Sequence, residues 1–136
     1  MTRKALIAFS LGLPFAAAAQ VEPGNWELTV TSQMQGADKP IGPQQKTQCF
    51  SAQDVQDPGR VLGTGGGCQF SNRRTSGELY TFDVKCGGAL PMSGTGRLRQ
   101  SSGSFEGDLD LAVDSGPGGS SLGMRTKVSG RRLGPC

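Results

Sequence analysis

Between Asn25 and Thr31 the chain alternates: Trp26, Leu28 and Val30 fall on one side, Glu27, Thr29 and Thr31 on the other. Successive side chains of a strand point to opposite faces, so this period predicts a half-buried strand. The same period runs from Phe105 to Val113. There Phe105, Leu109, Leu111 and Val113, with Gly107 among them, oppose Glu106, Asp108 and Asp110. It returns from Met124 to Gly130, with Arg125, Lys127 and Arg131 facing outward. From Cys68 to Cys86, two alternating runs flank Ser76-Gly77. Folding them about Gly77 sets Cys68 opposite Cys86, Phe70 opposite Val84, Asn72 opposite Phe82 and Arg74 opposite Tyr80. Cys68, Phe70, Tyr80, Phe82, Val84 and Cys86 then share one face. The segment reads as a β-hairpin closed by its own disulfide.

Turn-forming residues separate these runs. Pro23-Gly24 launches the first strand and Gly36 to Pro40 ends it; Gln44 to Phe50 is a polar strand returning beside it. Ser51 and Asp54 have the spacing of a capping box, which predicts a short helix over about 52–56, stopped by Asp57-Pro58-Gly59. Gly63 to Gly67 reads as a flexible joint. A further strand over Met92–Arg99 is thinned by Gly94 and Gly96, which points to bending or close backbone approach. Asp114 to Gly123 is a Gly/Ser-rich loop. The fold class expected is all-β. It is a twisted antiparallel meander of about seven strands, curled as an open or closed barrel, with one short helix and two disulfides. A two-sheet β-sandwich is the alternative.

The N-terminus belongs to a different category. Arg3 and Lys4 precede an apolar run from Ala5 to Phe15, and Ala16 to Ala19 supplies small residues at a cleavage site. Residues 1–19 read as a secretory signal peptide, shorter than the ~20 apolar residues of a membrane-spanning helix. The expectation is a single periplasmic domain over residues 20–136, with no membrane anchor after cleavage. Removing Arg3 and Lys4 leaves twelve basic against eleven acidic residues. So balanced a charge gives no reason to expect nucleic acid as a partner. All four cysteines, Cys49, Cys68, Cys86 and Cys136, lie in this exported part, and an even number there implies disulfides. Hairpin symmetry favours Cys68–Cys86 with Cys49–Cys136. The other pairing considered is Cys49–Cys68 with Cys86–Cys136.

The chemistry available is limited. The chain has no histidine, which removes Ser-His-Asp and Cys-His mechanisms and imidazole metal ligands. Paired cysteines supply no thiolate. Gly119-Ser-Ser-Leu-Gly123 spells G-x-S-x-G, but a nucleophile elbow needs a strand–turn–helix and a base for Ser121, and neither is expected. Glu106, Asp108 and Asp110 would lie between Arg97 and Arg99 on one side and Arg125 and Lys127 on the other if those strands are neighbours. Such a row stabilises register rather than catalysing. A calcium site of Asp108, Asp110 and Asp114 lacks the EF-hand glycine and terminal glutamate. The glycine run before Cys68 is followed by no Lys-Ser/Thr and is not a phosphate loop. Arg73-Arg74, expected at the hairpin tip, reads first as solvated. Trp26 and the apolar face read first as core, although the same residues would line the interior of a carrier.

Several short motifs add a resemblance. They are Pro-Gly-x-Trp-Glu at 23–27, Thr47-Gln-Cys-Phe50 before the helix start, Asp57-Pro58, Met92-Ser-Gly-Thr-Gly96, Phe105-Glu-Gly107, and Lys-x-x-Gly-x-Arg-x-Gly-x-Cys at 127–136. In that order and spacing the chain resembles the bacterial exported domain-of-unknown-function family 3617. The resemblance implies a periplasmic protein with four framework cysteines and no assigned activity. No enzyme, cofactor or metal site is expected. The leading expectation is a monomeric, non-catalytic binding or interaction domain whose partner is an unknown protein or a small apolar ligand. A carrier holding a small apolar ligand inside the barrel is one alternative. An inhibitor of an exported enzyme that inserts a loop is another.

Overall fold

The alternating stretches pair into one antiparallel sheet of seven strands: β1 (Gly24–Met34), β2 (Ile41–Phe50), β3 (Cys68–Ser76), β4 (Leu79–Cys86), β5 (Met92–Gln100), β6 (Ser104–Val113) and β7 (Leu122–Gly134). The computed structural model describes residues 21–63, 67–114 and 122–136. The signal-peptide reading, most of the glycine joint, and most of the Gly/Ser loop with Ser121 lie outside the described residues. The strand order is β2-β1-β7-β6-β5-β4-β3. From β3 to β7 the chain is a plain meander; β1 then pairs with β7 and carries β2 on its far side. β2 and β3 are free edges, so the sheet is open, neither a closed barrel nor a two-sheet sandwich. It curls enough that both edges line one cleft, Gln44, Gln45 and Lys46 from β2 and Cys68 from β3.

The inner face carries the core. Trp26 is fully buried, and its ring lies 5.3 Å from that of Phe105 and 6.5 Å from that of Phe50. Its indole N–H donates to the Glu22 carbonyl at 2.9 Å, so the one polar atom of the ring keeps a partner. A second aromatic group joins Phe82 to Phe70 at 5.4 Å and to Tyr80 at 5.5 Å. The glycines of the inner face provide the room. A β-carbon at Gly96 would fall on the Phe82 ring, one at Gly130 on the Phe105 ring, and one at Gly107 on the end of Leu62.

The crossing segment differs from expectation. Ser51 and Asp54 do form the reciprocal capping box: the Asp54 N–H donates to Ser51 Oγ at 3.1 Å and the Ser51 N–H to Asp54 Oδ2 at 3.0 Å. They open only a 3-10 turn, Asp54–Gln56. The α-helix, α1, spans Pro58–Leu62, so Asp57-Pro58-Gly59 starts a helix instead of stopping one. Asp57 caps it by accepting from the Gly59 N–H at 2.9 Å, and Pro58 supplies the preset φ of a first helical residue. Val61 and Leu62 of α1 are buried against the sheet.

The central hairpin departs from simple symmetry near its tip. Cys68 faces Cys86 and Phe70 faces Val84, but after Ser71↔Asp83 the register slips, so that Arg74 faces Thr81 and Thr75 faces Tyr80. The cause is a bulge at Asn72, which takes a left-handed φ of 50° and whose amide Nδ2 donates to Asp83 Oδ2 at 2.6 Å. The extra residue moves the turn to Gly77-Glu78. Arg73-Arg74 therefore sits at the bulge, away from the turn.

Candidate functional site

Two disulfides close the framework. Cys68 is bonded to Cys86 across the β3–β4 hairpin, and Cys49 to Cys136. Cys49 faces Asn25 on one side of β1 and Asn25 faces Gly134 on the other. The second bridge thus passes over the start of β1 and ties the end of β2 to the end of the chain.

The two ends of the concave face differ. At one end Trp26, Phe50, Phe105, Phe82 and Leu98 are buried together with Val61 of α1, and a smaller cleft of about 190 Å³ lies beside Val61, Tyr80 and Leu98. At the other end the large aromatics stop. There the space between the sheet edges is a cleft of about 430 Å³. Its floor is Leu109 and Leu111 of β6, and its walls are Val30 of β1, Leu62 of α1, Met92 of β5 and Met124 of β7. Leu109 and Leu111 are buried, while Val30, Met92 and Met124 are partly exposed in the cleft. The Cys68–Cys86 bridge forms part of the lining on the β3 side. Ser32 Oγ and Thr126 Oγ1 share a hydrogen bond of 3.0 Å, and Gln44, Gln45 and Lys46 form the polar rim on β2. Two methionines in the wall give it an adaptable surface.

The rim was not visible in the sequence because β2 is polar on both faces from Gln44 to Gln48. Pairing supplies the missing phase: Trp26 faces Gln48, Leu28 faces Lys46 and Val30 faces Gln44. Those three β2 residues accordingly share the inner face with the apolar side chains of β1.

The convex face holds the charged rows. Arg97 faces Asp108, Arg99 faces Glu106, Asp108 faces Lys127 and Asp110 faces Arg125, so the acidic row does lie between two basic rows. Arg125 grips Asp110 with Nε at 2.7 Å from Oδ1 and Nη2 at 3.3 Å from Oδ2. That hydrogen bond holds the Asp110 carboxyl below its ordinary value and raises Arg125, with Arg97 adding to the effect on Asp110. Arg131 turns to Glu27, at 3.2 Å. Among the described residues no group of three or more histidine, cysteine or carboxylate side chains is arranged to hold a metal, and no cysteine is free.

A larger groove of about 800 Å³ runs between the 3-10 turn and β3, and Arg60, Arg73 and Lys85 contribute to it. Its carboxylates already have structural work. Asp54 is held low by the Ser51 backbone and hydroxyl hydrogen bonds, and Asp57 caps α1. The cleft between the edges is the better candidate site, because its apolar walls have no such internal employment.

No curated protein and no solved structure matches the chain. A family model does match, over residues 21–136, which takes in every strand, both bridges and the cleft: the chain belongs to the family described as a protein of unknown function (DUF3617).

Proposed function

We propose that this chain is an exported, non-catalytic binding domain that seats a small apolar ligand in the cleft between β2 and β3. The observation that carries this reading is the cleft itself. About 430 Å³ of space with an aliphatic and thioether wall lies beyond the point where the buried aromatics of the core stop, more than twice the volume of the cleft at the other end. Binding cavities for small molecules fall in the range of ~300–1,000 Å³ and are mostly apolar with a few polar groups. A packed interior would have spoken against a carrier. Two disulfides fit an oxidising compartment, which supports export to the periplasm. No histidine is present to serve a hydrolase, and the carboxylate row lies on the convex face, where Asp110 is held by Arg125.

The test is a titration of the oxidised chain with the neutral fluorophore N-phenyl-1-naphthylamine. Saturable enhancement is expected, lost in Ser32→Trp, whose indole would occupy the cleft. Ser32 is only partly buried, so the variant should keep its urea midpoint. Absence of saturable binding, or equal binding by Ser32→Trp, would overturn the reading.

A further inference from the structure

The lining of the cleft contains one charged side chain, Lys46. It stands opposite Leu28, a buried inner-face residue, so it belongs to the concave side of β2. Its acidic neighbour on β1, Glu27, faces Thr47 and so belongs to the opposite side, where it meets Arg131. Among the described residues Lys46 makes no ion pair and no hydrogen bond through its side chain. Beneath it the floor is hydrocarbon, Leu109 and Leu111, and the remaining polar lining is uncharged: Ser32, Thr126 and the rim glutamines. The site is therefore two-part, with an apolar surface and, among the described residues, one unpaired and solvent-exposed cation in its lining.

We infer that the occupant is a linear amphiphile with a single terminal anion, a medium- or long-chain carboxylate, whose chain lies on Leu109 and Leu111 and whose headgroup meets the Lys46 ammonium. This rests on the reading of the cleft as a ligand site. Charge complementarity selects the headgroup: a cationic one would be repelled, and a neutral one would leave the ammonium with water alone. An inward-pointing lysine on an edge strand also discourages edge-to-edge pairing. That role alone would be indifferent to the ligand's charge, which separates the two explanations.

The experiment is calorimetric titration of the full chain, both bridges formed, with dodecanoate, dodecan-1-ol and dodecylammonium at about pH 8, where the dodecanoate and dodecylammonium headgroups both carry their charge. Dodecanoate is expected to bind about tenfold tighter than the alcohol, the scale of a charge-assisted hydrogen bond. Lys46→Gln should erase that preference while retaining alkyl binding, and Lys46→Glu should transfer it to dodecylammonium. Equal affinity for dodecanoate and the alcohol, or a preference that survives in Lys46→Gln, would overturn the headgroup assignment and leave the cleft standing. Failure of all three ligands to bind would overturn the cleft as well.

Discussion

Phe105 stands directly opposite Gly130 in the β6–β7 register, and its ring occupies the volume that a β-carbon at position 130 would fill. Leu28 faces the same glycine from β1. The glycine thus sits between two large inner-face side chains, and its missing side chain is what lets the aromatic lie flat on the sheet. Gly130→Ala should destabilise the protein by ~1–3 kcal/mol, the range for overpacking a filled core. Gly103→Ala provides the control, since nothing lies near its would-be β-carbon; it should stay within about 0.5 kcal/mol of the parent. Urea unfolding of the oxidised proteins measures both, and equal midpoints for the two variants would show that the ring yields at no cost.

The two bridges should differ in what they contribute. Cys49 and Cys136 are 87 residues apart, Cys68 and Cys86 only 18. In the chain-entropy account their closure restricts the unfolded state by ~4.5 and ~3 kcal/mol respectively. Cys49 and Cys136 are exposed, so Cys49→Ala/Cys136→Ala removes little packing and isolates the closure effect. It should lose ~4–5 kcal/mol in urea unfolding. A loss below about 1 kcal/mol would mean that the unfolded chain keeps the two ends near each other without the bond.

Much of the sheet was legible because its strands keep period two between clear turn residues. Phe105 to Leu111 is the plainest case: the alternation of buried and outward positions is the one the residues spell. What was not legible has physical reasons. At Asp57-Pro58-Gly59 the same residues serve as a helix stop or a helix start; the Asp57 cap and Pro58 suit the start, and the burial of Val61 and Leu62 against the sheet decides for it. The bulge at Asn72 adds a residue to one arm of the hairpin, a choice made by a side-chain bond to Asp83 rather than by hydrophobic pattern. The mouth of the cleft was hidden because Gln44, Gln45, Lys46, Thr47 and Gln48 run polar without a break, and the one buried apolar residue in phase with Lys46, Phe50, lies at the far end of the strand. Their orientation exists only once β2 is paired with β1.

Acid should weaken the convex face. Arg125 holds the Asp110 carboxyl below its ordinary value, so the unfolded chain takes up a proton there before the folded one does. The contribution of Asp110 is therefore complete above about pH 4, the unfolded value, and is lost as pH falls through the lowered folded value. The pair is solvent-exposed, with 43% of the Asp110 side chain accessible, so the effect is ~0.2–1 kcal/mol. Asp110→Asn should cost that much near neutrality and nothing at the acid end, and the difference should shrink in ~1 M salt. Urea midpoints of parent and variant measured across the acid range give the comparison. A gap that widens on acidification would reverse the sign and exclude this pair as its source.

Leu62 and Gly107 provide a test of how α1 seats on the sheet. A β-carbon at Gly107 would overlap the end of the Leu62 side chain, while Leu98 and the Arg97 carbonyl stay at 3.4 and 3.5 Å, ordinary contacts. The two positions therefore compete for a single volume. Leu62→Ala empties it and should cost ~2–5 kcal/mol through lost burial and a residual cavity. Gly107→Ala overfills it and should cost ~1–3 kcal/mol. Together the changes exchange which residue supplies the carbon atoms, so the double variant should be more stable than the sum of the single losses by at least ~1 kcal/mol. A double-mutant cycle in urea measures this directly. Strict additivity would mean that α1 shifts away from β6 when Leu62 is cut back, and that the helix is held by Val61 and its Asp57 cap instead.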